Sequence, residues 1–205
     1  MKNCIVTGMT IITALSLAAC ASKEIAPPPQ PEVASYEKYD PQGRRLERAN
    51  TLTVSAVVTD IDLDKRLVTL KGPEGNERTI EVGPEVRNLP QVKRGDMVTL
   101  TYIDSATFRL LKPGEAELGG TMSEISGRAK PGEKPGAGSV QTMTVIARVK
   151  KVDKVVPSLT LEGPDGDVVT LPVRHPERLD AVKVGDLLEI TYDEAIAIEV
   201  EEPEM

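Results

Sequence analysis

The sequence predicts an all-β protein built from two tandem copies of one small module, and three observations predict it. One stretch of sequence occurs twice. Within each copy apolar and polar residues alternate with period two, the signature of half-buried strands. Between the alternating runs lie Gly, Pro and Asp, the residues that favour tight turns. The repeat is specific: Val68-Thr69-Leu70-Lys71-Gly72-Pro73-Glu74-Gly75 matches Leu159-Thr160-Leu161-Glu162-Gly163-Pro164-Asp165-Gly166. Val92-Lys93-Arg94-Gly95-Asp96 likewise matches Val182-Lys183-Val184-Gly185-Asp186, with one deletion between the two matches, near His175. Self-similarity at this length marks a duplicated domain.

The elements follow in chain order. Met1-Lys2 is a minimal positive start, and the apolar run from Ile5 to Ala19 is interrupted by Thr7, Gly8, Thr10, Thr13 and Ser16. Crossing a bilayer takes roughly 20 apolar residues, so this run has the form of a signal-peptide core rather than a transmembrane helix. It ends in Leu17-Ala18-Ala19-Cys20, which resembles the lipobox of bacterial lipoproteins. The resemblance implies a signal peptide over residues 1–19, cleavage before Cys20, and acyl chains (palmitate among them) on the Cys20 sulfur and the new amino terminus. Each buried CH₂ of such an anchor contributes about 0.8 kcal/mol. Ala21 and Ser22 follow without an Asp; for a Gram-negative host the resemblance then implies the outer membrane, with the protein facing the periplasm.

Residues 20–50 are expected to be the lipidated Cys and a Pro-rich tether, with Pro27-Pro28-Pro29-Gln30-Pro31 as a stiff polyproline spacer. Arg44-Arg45-Leu46-Glu47-Arg48 is open to two readings, a basic patch for anionic lipid and a one-turn solvated helix. The first repeat spans 51–112 and the second 142–201, with five short strands expected in each. The first strand buries Val54, Ala56 and Val58 (Val145, Ala147 and Val149 in the second copy), leaving Ser55 and Val57 outward. The second buries Val68 and Leu70, or Leu159 and Leu161. The third buries Ile80 and Val82, or Leu171 and Val173; Pro172 removes a ladder donor and so places this strand at an edge. A Pro-broken connector is pinned by Leu89 and Val92. A fourth strand carries Val98, Leu100 and Tyr102, and a fifth carries Ala106, Phe108 and Leu110, or Ile196, Ile198 and Val200. That order, with its longest interruption between the third and fourth strands, is expected of an OB-like Greek-key barrel, the SH3-like barrel being the alternative. Domains of this size are marginal, so the barrels are expected to pack together or to be covered by the intervening segment. Residues 113–141, rich in Gly and Pro, form the expected linker, whose length leaves room for an ordered strap around Met122 to Arg128.

Composition narrows the partners. With 25 basic and 32 acidic residues the net charge is -7, and phosphate binding needs the opposite balance. Aromatics are 2% of residues, with no Trp and one Phe, so stacking surfaces for bases are not expected. Cys4 and Cys20 are the only cysteines, which removes disulfides and cysteine metal sites from the mature repeats.

No residue pattern points to catalysis. His175 is the single histidine, and Met97, Met122 and Met143 are scattered, whereas a metal takes three or four converging ligands. Asp60-Ile61-Asp62-Leu63-Asp64 has the alternating acids of a calcium loop, but Lys65 and Lys71 stand where Gly and a bidentate Glu are required. Only Asp62 recurs, as Asp153, which suits a turn. Asp96 and Asp186 follow glycines in equivalent turns and are expected to form them. No Ser-His-Asp arrangement, phosphate-cradling loop or zinc motif is present, so a non-enzymatic protein without cofactor, small-molecule substrate or nucleic-acid ligand is expected.

The Gly-Pro-acid-Gly hairpin and Val-Lys-x-Gly-Asp turn resemble those of uncharacterised envelope proteins with small β-barrel repeats. The chain is also distantly similar to the OB-like periplasmic copper chaperones of copper/silver efflux pumps, which hold a soft metal with His, Met and Trp. None of those ligand positions has a counterpart here, so that similarity implies the fold alone. The expected function is a lipid-anchored envelope module that binds or scaffolds an envelope protein partner; a metal-ion carrier or buffer is the alternative.

Overall fold

The computed structural model describes residues 26–40 and 42–202. The lipobox and Cys20 lie outside the described residues. The fold is all-β. Ten strands, β1 (Glu32–Tyr39), β2 (Arg45–Asp62), β3 (Leu67–Lys71), β4 (Glu77–Glu81), β5 (Met97–Leu111), β6 (Gly119–Arg128), β7 (Gly136–Asp153), β8 (Ser158–Glu162), β9 (Val168–Pro172) and β10 (Leu187–Glu201), are joined by turns and two short 3₁₀ helices, Leu89–Gln91 and Pro176–Ala181. All ten belong to one antiparallel sheet, ordered β4-β3-β2-β5-β10-β7-β8-β9, with β1 beside β2 and β6 beside β7.

Alternating Val, Thr and Ser residues form the long strands, since β-branched side chains pack well on a pleated surface. β5 pairs with β10, its own counterpart in the second copy, over the full length of both, Met97 opposite Glu201 and Leu111 opposite Leu187. The two copies are therefore related by a pseudo-two-fold axis through the centre of the sheet. At each end the sheet curls. β2 shifts register between Val58 and Asp60, and β7 shifts between Val149 and Lys151; such bulges bend a strand and sharpen its twist.

Two separate cores form inside these curls. One gathers Val58, Val68, Leu89 and Val92 with Val98, Leu70 and Val200. The other gathers Ala147, Val149, Leu161 and Leu188 with Ile190, Val182 and Phe108. Val200 belongs to the second copy and Phe108 to the first, so each core borrows a side chain from the other repeat. Leu89 and Leu179, at equivalent places in the 3₁₀ connectors, are 2% and 1% exposed; the pinning role expected for Leu89 and Val92 is what the structure shows.

Several expectations need correction. The fourth and fifth strands of each repeat are one uninterrupted strand, β5 or β10, because residues 103–105 are held on both sides by ladder pairs to β2 and β10. The sheet is one open ladder shared by both repeats, in place of the pair of closed five-stranded barrels. The segment assigned to the tether holds β1 and the start of β2, and Pro28 is buried. Arg45 and Arg48 are strand residues, Arg45 pairing with Glu47 at 2.6 Å and Arg48 lying over the Phe108 ring. The segment assigned to the linker holds β6 and the start of β7. Ser55 and Val57 are buried, Ser55 bonding to Thr99 at 3.1 Å, because the curled end of β2 is covered on both faces. Ile80 and Leu171 are 40% and 37% exposed, since β4 and β9 are the outermost strands. The edge position inferred from Pro172 is correct.

Candidate functional site

The Val-Lys-x-Gly-Asp turns lock the bulges. Gly95 and Gly185 both have φ of 92°, a left-handed conformation that costs glycine little and other residues more. In the first turn Gly95 N–H donates to the Val58 carbonyl while Val58 N–H donates to that of Asp96; Gly185, Val149 and Asp186 repeat the arrangement. The Asp96 and Asp186 carboxylates are almost fully buried and accept the Lys93 and Lys183 N–H at 2.8 and 3.0 Å. Each also takes a lysine ammonium, Lys134 on Asp96 at 2.5 Å and Lys112 on Asp186 at 3.3 Å. These are turn-forming carboxylates, each held by two donors on Oδ2 and about 90 residues apart in sequence; the two do not form an acid–base pair.

Asp62 accepts the Lys65 N–H at 2.9 Å, and Asp153 accepts the N–H groups of Val155 and Val156 at 3.0 Å. Those backbone donors hold both carboxyls below their ordinary range, with Lys65 and Lys151 adding to the effect. The calcium-like stretch is thus a hairpin turn whose recurring acid is spent on the backbone. Among the described residues no group of three or more His, Cys, Asp or Glu could hold a metal ion.

His175 occupies a junction between the two repeats. Its Nε2 lies 3.2 Å from Glu37 of β1 and its Nδ1 3.3 Å from Glu177. The ring packs edge-on against Tyr39, and the Arg178 guanidinium covers the Tyr39 ring. Tyr39 Oη and Arg178 Nε are buried without a hydrogen-bond partner. The β1–β2 hairpin of the first repeat is therefore seated on the 3₁₀ connector of the second. The pseudo-symmetric contact exists as well: Asn88, which precedes Leu89 as Arg178 precedes Leu179, donates to the Lys130 carbonyl in the β6–β7 turn at 2.6 Å. Sequence reasoning weighed His175 as a metal ligand and missed Tyr39, Glu37, Arg178 and Asn88. The one available signal was the recurrence of a long polar side chain just before the pinning leucine.

Between the curled ends the sheet is a single layer open on both faces. Polar side chains cross its middle: Asn50 donates to Asp104, and Thr142 and Ser105 donate to Asp193. Tyr102 is pushed up to about 12, chiefly by desolvation and then by the Glu194 charge beside it. Beside this band lies a shallow apolar depression of ≈ 290 Å³ lined by Ile103, Ile125, Val140, Gly138 and Ala197. Its floor is low because Gly138 sits over the Ile196 carbonyl, 3.1 Å from where a Cβ would be. It is a surface hollow rather than an enclosed pocket, and no ionisable side chain lines it.

Among the described residues no helix is long and apolar enough to cross a membrane. Comparison with known proteins finds no matching family model, no matching curated protein and no matching solved structure.

Proposed function

We propose that this protein is a lipid-anchored lipoprotein of the bacterial envelope that works as a non-enzymatic binding or scaffolding module. The observation that carries the reading is Leu17-Ala18-Ala19-Cys20 at the end of an interrupted apolar run. The rest of the molecule is in keeping with it. What the sheet offers a partner is flat surface and strand edge, with backbone donors and acceptors and scattered exposed Val, Ile and Met side chains. Such surfaces suit protein contact by strand addition.

The experiment is metabolic labelling with radioactive palmitate in a bacterial host, followed by mass spectrometry of the amino-terminal peptide. The expected result is label on the wild-type chain, an acylated Cys20 as the first residue, and loss of both in Cys20→Ser. A mature chain that begins elsewhere, or carries no lipid, overturns the reading.

A further inference from the structure

Among the described residues, four strands have one side free of backbone pairing: β1, β4, β6 and β9. Proteins protect such edges with charge, proline or a bulge, because a bare edge recruits another strand. β4 carries Glu77, Arg78 and Glu81. β9 ends in Pro172. The Val173 N–H bonds to the Pro157 carbonyl across the β8 side, so Pro172 faces the free side and its missing donor blunts that edge. β1 follows Pro27-Pro28-Pro29-Gln30-Pro31, carries Glu32, Glu37 and Lys38, and is tied down at Glu37 and Tyr39. β6 has neither proline nor bulge: it runs ten residues in unbroken register against β7, with Glu124 and Arg128 as its charges. Met122 and Ile125, on opposite faces, are 71% and 73% exposed.

We infer that β6 is a self-association edge, and that a second copy of this chain pairs there antiparallel, about a two-fold axis normal to the sheet at Ser123. The backbone dictates the register. Ala129 N–H donates to Gly136 across the hairpin, so odd-numbered residues of β6 face β7 and the N–H and C=O groups of Gly120, Met122, Glu124 and Ser126 point outward. A two-fold axis at Ser123 sets Met122 opposite Glu124 of the second copy and Gly120 opposite Ser126. All four outward residues then form narrow pairs, each exchanging two backbone hydrogen bonds. Thr121 falls beside Ile125 and extends cover over the exposed Ile125–Val140 pair. An axis at Glu124 would oppose two like charges, and an axis at Met122 would shorten the overlap. This inference does not depend on the lipid anchor, since it uses β6 alone.

The test uses the full-length chain in bacterial cells, oxidised with copper-phenanthroline and resolved on non-reducing gels. In the Ser123-centred dimer residue 123 meets itself in a wide pair, whose Cα separation of about 4.5 Å a disulfide can span. Ser123→Cys is expected to crosslink into dimers well above the wild-type background of Cys20, whereas Ala34→Cys, Thr79→Cys and Thr170→Cys on the other edges are not. No crosslink from Ser123→Cys, an equal one from another edge, or a mixed crosslink between Ser123→Cys and Ala34→Cys copies overturns it. Glu124→Pro removes an outward N–H and spares the ladder to β7. It is expected to abolish the Ser123→Cys dimer while far-UV dichroism stays β-like; a dimer that survives it overturns the proposed register. The cysteine comparison decides the matter by itself should the proline variant unfold.

Discussion

Asp96 and Asp186 show how much one side chain does in this protein. Each sits where a bulged strand, a left-handed glycine and a connector meet, and the Oδ2 of each accepts from one backbone N–H and one lysine. Removing such an acceptor orphans a donor that folding has taken from water. The cost is about 1–3 kcal/mol, well above that of an exposed ion pair. Asp186→Ala is therefore expected to lower the unfolding free energy by that much, read as a lower urea midpoint at unchanged slope. Asp186→Asn should recover most of it, because the amide oxygen still accepts from Lys183. Lys112→Ala should cost little, since Lys112 is half exposed. Equal losses in the Ala and Asn variants would show that the charge, not the turn, is what matters. The duplicated Gly-Asp pair made this role legible from sequence alone. The junction at His175 was not legible, because its partners Glu37 and Tyr39 lie in a segment whose polar, Pro-rich composition gives no strand signal of its own.

At the scale of elements, residues that looked like two strands and a turn form one. Tyr102-Ile103-Asp104-Ser105-Ala106 contains the polar pair that ordinarily signals a reversal, and the inward sets Val98, Leu100, Tyr102 and Ala106, Phe108, Leu110 read equally well as two strands. They also share one parity, which is what a single strand requires. What decides is pairing: Asp104 is bracketed by Asn50 and Glu194, and Ser105 by Ala49 and Asp193. Those neighbours come from β2 and from the other repeat, and no local pattern reveals them. β6 was legible only as room for an ordered strap around Met122 to Arg128: Gly119, Gly120 and Gly127 give it linker composition, and its strand character depends on β7. Because β5 is central, Ser105→Pro is expected to cost about 1–3 kcal/mol by orphaning its ladder partner on β10, whereas Ser105→Ala should be mild. Thermal unfolding by dichroism distinguishes the two. A proline variant as stable as the alanine variant would mean that a turn does exist there.

At the scale of the whole molecule the repeats are interlocked rather than adjacent. β5 and β10 share fifteen paired positions, Val200 closes the first core and Phe108 the second, and each hairpin end rests on the opposite connector through Tyr39–Arg178 or Asn88–Lys130. A single repeat would expose one whole side of its longest strand and lose a core residue. Small domains bury only about 60% of their unfolded surface even when intact, and little margin remains to absorb such losses. Residues 26–112 and 113–202, produced separately, are therefore each expected to lack cooperative unfolding. Mixed at equal concentration, they should regain the β-sheet dichroism and the midpoint of the intact chain, because antiparallel β5 and β10 can find each other without a covalent connection. The midpoint of the mixture should rise with concentration, as mass action requires. If either half alone unfolds cooperatively at the midpoint of the intact chain, each repeat is self-sufficient. The borrowed side chains at Val200 and Phe108 would then be incidental contacts.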